Sequence, residues 1–253
     1  MNCIEDGWMR KVGIMSMQRI ANYGSFLQAY ALKQLIEEVG CNVEFVDYHV
    51  GAPVITENAD SKNKVVRKIE KGLETFRYRA PLAHKLSFIR YKQSFAQKYM
   101  PLLGITDEMN YNPTVDCLVI GSDEVFNCIQ KNSNVGYSPE LFGKNNHAKK
   151  LITYAASFGN TTLEKLEKYK KANEVGALLK KFDAISVRDA NSGTIVEQLT
   201  GKEPVYNLDP VLTYDYMNCC DKIPQVQTNE KYLILYAYAG RISNDEADWI
   251  AAY

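Results

Sequence analysis

Residues 11–48 read KVGIMSMQRIANYGSFLQAYALKQLIEEVGCNVEFVDY, and the change of period inside this stretch decides the fold. Lys11 to Met17 is a short apolar run suited to a buried strand. Phe26, Leu27, Tyr30, Ala31, Leu32, Leu35, Ile36 and Val39 then recur at three- and four-residue steps, which predicts a helix. Ser25 and Gln28 have capping-box spacing, and Gly40 stands where a C′ residue belongs. Cys41 to Tyr48 predicts a second strand. Strand, helix and strand in so short a span call for a right-handed parallel crossover, the opening unit of a doubly wound sheet.

Outward from this unit the alternation continues. Val115 to Ile120 reads as a strand ending at Gly121, and Leu151 to Ser157 as another ending at Phe158-Gly159. Thr161 with Glu164 opens a lysine-rich helix reaching about Phe182; Ala184 to Val187 is strand, Ser192 to Leu199 helix, and Pro204 to Leu208 strand before Asp209-Pro210. The expectation is an α/β fold: a Rossmann-like parallel sheet with flanking helices over 11–214, preceded by an extension at 1–10 and interrupted by a basic helical insertion at 61–100. Residues 215–230 read as a linker and 231–253 as the start of a second domain, with a strand at Tyr232 to Ala239 and a capping box at Ser243-Asn244-Asp245-Glu246. The last helix lacks a stop signal before Tyr253, so the second domain is expected to be truncated.

The 253 residues are 46% hydrophobic and 24% charged with a formal net charge of zero, an ordinary globular composition with no overall field for nucleic acid. Neither a secretory signal at the N-terminus nor an apolar run of about 20 residues is read, so a cytoplasmic location is expected. The six cysteines form no Cys-x-x-Cys pair and are read as reduced. Between Ser61 and Lys98 eleven Lys and Arg face two Glu, a net +9, with Phe76, Tyr78, Phe88, Tyr91, Phe95 and Tyr99 interleaved. Phe88, Tyr91, Phe95 and Tyr99 have helical spacing, which means core packing behind a solvated basic face; the functional alternative is peripheral contact with an anionic membrane. No nucleic-acid partner is expected.

Two loops carry candidate chemistry. Asn22, Tyr23, Gly24 and Ser25, with Gln28 one turn on, form a strand-to-helix turn of the kind that faces an anion, or else simply a turn and cap. Neither G-x-G-x-x-G nor a Walker lysine is present. Gly121, Ser122, Asp123 and Glu124 follow a strand at its carboxyl end, where open α/β sheets bind ligands; Ser157, Phe158 and Gly159 end the next strand in the same way. Adjacent Asp123 and Glu124 point opposite ways and so do not form an acid–base pair on one bond, although either can orient sugar hydroxyls or act as a base; the competing reading makes Asp123 a cap. Arg188 and Arg241, near strand ends, suit bidentate binding of carboxylate or phosphate, while for Arg188 an ion pair with Asp189 or Asp183 competes. His49, His84 and His147 lack metal spacing, so neither a metal nor a cofactor is expected, and His49 is the best-placed proton donor of the three.

Lys-Val-Gly-Ile-Met at 11–15, Asn-Tyr-Gly-Ser-Phe-Leu-Gln-Ala-Tyr-Ala-Leu at 22–32, Gly-Ser-Asp-Glu-Val-Phe-Asn at 121–127, Tyr-Ala-Ala-Ser-Phe-Gly at 154–159, Phe-Asp-Ala-Ile-Ser-Val-Arg-Asp at 182–189 and Leu-Asp-Pro at 208–210 together resemble the polysaccharide pyruvyl transferase family. Glu124 and Phe126 stand where the family's motif usually has Gln and Trp. The resemblance implies a GT-B-like pair of Rossmann-like domains, with much of the basic donor-handling set in the second, and transfer of pyruvate from phosphoenolpyruvate to a glycan acceptor as a ketal. The alternatives on the same architecture are a nucleotide-sugar glycosyltransferase and a non-catalytic glycan-binding domain.

Overall fold

The computed structural model describes residues 4–5, 8–55, 82–130, 135–217, 219, 233 and 242–252. The chain divides into two compact units, Met1–Asp215 and Tyr216–Tyr253. In the first, a short antiparallel pair, β1 (Ile4–Glu5) and β2 (Trp8–Met9), precedes β3 (Lys11–Met15), α1 (Tyr23–Glu38) and β4 (Asn42–Phe45). There follow α2 (Leu82–Leu103), β5 (Cys117–Gly121), a 3-10 turn at Pro139–Phe142, β6 (Lys150–Tyr154), α3 (Leu163–Lys168) and α4 (Ala172–Leu179). The unit closes with β7 (Ser186–Val187), α5 (Ala190–Thr200), β8 (Val205–Tyr206) and α6 (Pro210–Thr213).

β4, β3, β5 and β6 form a parallel sheet in that order, with Val12 opposite both Val43 and Cys117, and Leu118 opposite Leu151. Parallel bridges Ile152–Ala184 and Ala156–Val187 carry the pattern on to the parallel pair β7 and β8. Because successive side chains in a strand point to opposite faces, β5 sends Leu118 and Ile120 into one core and Val119 into the other. The first core packs Phe126, Phe142, Phe158, Leu166, Val175 and Ile195; the second packs Val12 and Ile14 against Phe26, Leu32 and Phe95. An α/β architecture with a parallel four-stranded sheet between helices is therefore established.

Several local readings are corrected. The N-cap of α1 is Asn22, not Ser25: its Oδ1 accepts from the N–H groups of Gly24 at 2.7 Å and Ser25 at 3.4 Å, while Ser25 and Gln28 turn their side chains outward to other segments. At the other end Gly40, at φ 85°, takes the left-handed C′ position as read. The lysine-rich helix is two helices, broken at Lys170, which sits at φ 55°. Its cap is Thr162 rather than Thr161, whose hydroxyl is buried and bonded to Asn127 and Cys128. Cys41 is disulfide-bonded, against the reading of every cysteine as reduced; its partner lies outside the described residues, and the pairing joins cysteines that no local spacing marks. Cys117, Cys128 and Cys219 are free thiols.

The 22-residue α2 carries the C-terminal part of the basic segment and docks on α1 through Phe95, which is 1% exposed and lies edge-on to Tyr23 and Phe26. The side chains of Phe88 and Tyr91, and all of 61–81, lie outside the described residues. No described helix is long and apolar enough to cross a membrane. In the second unit α7 (Asn244–Ala252) begins with the expected reciprocal cap: the Ser243 N–H donates to Glu246 Oε2 at 2.8 Å, and the Glu246 N–H to Ser243 Oγ at 3.2 Å. Apart from Leu233, the strand read at Tyr232 to Ala239 lies outside the described residues.

Candidate functional site

In a parallel sheet all strands end at one edge, and ligands bind there where neighbouring connections run to opposite sides. That position lies between β3 and β5: the chain leaves β3 for β4 on one side and, later, leaves β5 for β6 on the other. The loops after these two strands are tied together by the Ser16 hydroxyl, which donates to the Ser122 carbonyl at 3.1 Å. Asp123, next in line, is at φ 75°, a conformation that a short polar side chain tolerates better than most and that aims its carboxylate back across the gap.

The Asp123 carboxylate is held from two directions. Oδ2 accepts from the Ser25 hydroxyl at 2.6 Å, and Oδ1 from the Glu124 N–H at 2.8 Å. Asp123 thus joins the first turn of α1 to the end of β5. Its own loop is fastened to the next strand end, where the Ser157 N–H donates to the Asp123 carbonyl and the Phe126 N–H to the Ser157 carbonyl, both at 3.0 Å. Glu124 points elsewhere, accepting from Asn127 Nδ2 at 2.8 Å. The divergence expected of adjacent carboxylates is realised.

Arg188, at the end of β7, pairs with neither Asp189 nor Asp183. Asp189 caps α5 and accepts from Ser157 Oγ at 2.7 Å, and Asp183 pairs with Lys150 at 3.0 Å. Arg188 Nη1 instead donates to Asp209 Oδ2 at 2.7 Å, and its Nη2 lies 3.9 Å from Asp123 Oδ1. Asp209 is the junction that sequence reasoning missed. The same Oδ2 accepts from Gln28 Nε2 at 2.6 Å, and its Oδ1 accepts from the Val211 N–H at 3.0 Å, capping α6. An aspartate directly before proline at a strand's carboxyl end was the available signal, since proline at the first helical position leaves the preceding aspartate as a cap.

The other expected residues divide. Asn22 and Gly24 make the cap, and Tyr23 is 45% exposed with its ring against Tyr99 at 5.4 Å. Gly121 ends β5, with the Tyr154 carbonyl where a β-carbon would lie, and the buried Ser122 hydroxyl has no hydrogen-bond partner. Phe158 is fully buried in the core, 5.2 Å from Phe126, so it contributes packing and not a ligand-facing surface. Gly159, at φ 55°, lies under the Glu124 carboxylate. His49 stacks on Tyr111 at 4.0 Å and hydrogen-bonds Glu140 through Nδ1 at 3.1 Å, so it does not join the Asp123–Arg188 group. Arg241 lies outside the described residues.

Beside the group, a recess of about 280 Å³ is lined by Ile20, Tyr48, Val50 and Met109 over a floor of Gln18, Arg19 and Asp47. Burial, aided by Asp123 and Asp47, pushes the Tyr48 phenol up to about 12, keeping it a neutral donor. The floor is a closed polar clasp. Arg19 grips Asp47 through Nε and Nη2 at 2.6 and 2.7 Å and donates to the carbonyls of Thr106 and Glu108, both at 2.9 Å.

No curated protein and no solved structure matches the chain. A family model described as polysaccharide pyruvyl transferase matches residues 22–252, from the α1 cap through every later strand of the sheet. A match over nearly the whole chain, beginning at the turn that reaches Asp123, shows that this chain belongs to the polysaccharide pyruvyl transferase family.

Proposed function

We propose that this chain takes part in moving pyruvate from phosphoenolpyruvate onto a sugar of a cell-surface or capsular glycan, forming a cyclic ketal. The observation that carries the reading is the convergence of Ser25, Gln28, Asp123, Arg188 and Asp209, from four separate segments, at the switch point of the sheet. In the reaction the methylene carbon of phosphoenolpyruvate gains a proton while a sugar hydroxyl bonds C2 and loses its own. A second hydroxyl then displaces phosphate and closes the ring. A sugar binds through hydroxyls, which both donate and accept, and carboxylates and amides of this kind suit it. The guanidinium of Arg188 stands between the carboxylates of Asp209, at 2.7 Å, and Asp123, at 3.9 Å, so this group suits a neutral sugar better than an anionic donor.

The test is phosphate release from phosphoenolpyruvate by the full gene product in the presence of pooled glycan acceptors, with Asp123→Asn as the control. Release that depends on acceptor and falls by about 100-fold or more in the variant is expected. Absence of release across a broad acceptor panel sinks the reading. The basic stretch at 61–98 fits contact with an anionic membrane presenting a lipid-linked acceptor; the chain should then co-sediment with anionic vesicles, and equal partition onto neutral ones removes that partner.

A further inference from the structure

The 3.9 Å between Arg188 Nη2 and Asp123 Oδ1 is too long for a hydrogen bond, yet both side chains are held fast where they stand. Arg188 is anchored by Asp209 at 2.7 Å, which is itself fixed by Gln28 and by the backbone of α6. Asp123 is anchored by Ser25 at 2.6 Å and by the Glu124 N–H at 2.8 Å. These restraints keep the cation and the carboxylate from closing on each other. Among the described residues, Arg188 Nε and Nη2 donate no hydrogen bond, and the two side chains are only 21% and 15% exposed.

We infer that this gap is a binding site for one hydroxyl of the acceptor sugar and not for the phosphate or carboxylate of the donor. An oxygen about 2.8 Å from each end spans a 3.9 Å separation, accepting from Nη2 and donating to Oδ1. Only a group that is donor and acceptor at once satisfies both. A phosphate or carboxylate oxygen accepts from the guanidinium but meets Asp123 as one charge against another, with Asp209 on the far side of Arg188 adding to the repulsion. The first turn of α1 offers no substitute anion site at Gly24 and Ser25, because their N–H groups are already taken by Asn22. Arg188 is thereby a hydroxyl-orienting residue and not an anion clamp. The inference rests on the pyruvyl-transfer reading only in calling the sugar the acceptor.

The two assignments predict opposite signs in a binding experiment on the full chain. Ligand-observed NMR titrations use methyl hexopyranosides (gluco, galacto and manno) as hydroxyl probes, and inorganic phosphate and phosphoenolpyruvate as anion probes. The chains compared are the parent, Asp123→Asn and Arg188→Met, each checked for folding by circular dichroism. With a hydroxyl in the gap, both substitutions raise the hexoside dissociation constant about tenfold or more and leave that of phosphate within about twofold. With an anion there, Asp123→Asn tightens phosphate binding and Arg188→Met weakens it, and that split overturns the inference. Because the outcome is read as a loss for one ligand with the other unchanged, a general loss of stability in either variant does not imitate it. Arg188→Lys is the second check, and a hexoside affinity restored by the charge alone also overturns the bridging geometry. Hexosides bound equally by all the chains, or by none, overturn it as well. If hexosides behave as predicted but phosphoenolpyruvate never binds, the hydroxyl site stands and the pyruvyl-transfer reading falls.

Discussion

Replacing Arg19 by Met tests whether the loops at the switch point are held by a charge buried under them. Asp47 is 3% exposed, and the guanidinium meets both of its oxygens, at 2.6 and 2.7 Å. Without Arg19 the carboxylate keeps only the Asn110 N–H at 2.8 Å and Gln18 Nε2 at 3.2 Å. Leaving one charge of a buried pair uncompensated costs about 3 to 5 kcal/mol, and the 29% exposure of the Arg19 side chain puts this pair at the lower end, about 3 kcal/mol. For a unit of this size that is a fall of roughly 6 to 12 °C in Tm. Burial alone raises the Asp47 carboxyl, but Arg19, the Asn110 N–H and Gln18 outweigh it and hold the group below its ordinary 3.8. The stabilisation is therefore complete above the unfolded value and is lost as pH falls through the lowered one. Urea unfolding followed by circular dichroism at pH 7 and at stepped acid pH measures both the size and the pH dependence. Adding Asp47→Asn to Arg19→Met should recover more than half the loss, because a neutral amide needs no counter-charge. A loss under about 1 kcal/mol for Arg19→Met, or no recovery in the double variant, would refute the reasoning.

Three further outcomes follow from the same geometry. Asn22→Ala removes the α1 cap and should cost about 1 kcal/mol in thermal unfolding, while Asn22→Asp keeps most of it. Gly159→Ala places a β-carbon against the Glu124 carboxylate at φ 55° and should cost about 1 to 3 kcal/mol in urea unfolding; a change within 0.5 kcal/mol refutes the close approach. In a spectrophotometric titration Tyr48 should stay protonated past pH 10 and ionise toward about 12, so its share of stability, present below 10, is lost as pH rises between the two; Tyr48→Phe should remove that late step.

What the sequence makes legible is what local pattern dictates. The strand–helix–strand opening follows from the change of period at Asn22, and the two later loops follow from strands ending in Gly121 and Ser157. The errors arise where a distant residue outbids a near one. Ser25 and Gln28 have the spacing of a capping box, but their side chains meet Asp123 and Asp209, 98 and 181 residues away. Arg188 has Asp189 beside it, yet parallel neighbours β7 and β8 end at one edge and bring Asp209 to it across 21 residues. The stretch 163–172, where the helix expected across 161–182 breaks, is made almost wholly of good helix formers. It breaks because Thr161 is anchored below by Asn127 and Cys128 while α4 must lie against α5. Phe158 looked like part of a loop motif and proved to be core, since a strand end that turns inward buries its aromatic as readily as it exposes it.

The order of strands also bears on how the chain comes off the ribosome. β3 is flanked by β4, made soon after it, and by β5, whose segment reaches it from 105 residues later, where the Lys11 N–H donates to Asp116. At typical elongation rates of about 5 to 20 residues per second, β3 waits roughly 5 to 20 s with one bonding edge and both apolar faces incomplete. During that interval the nascent chain holds an unpaired apolar strand, the kind of surface on which aggregation begins. Synthesis of the helix that supplies Phe95 falls inside the wait, so the aromatic contact between α1 and α2 extends the cover that Phe26 and Leu32 lay over Val12 and Ile14 before the sheet itself can close.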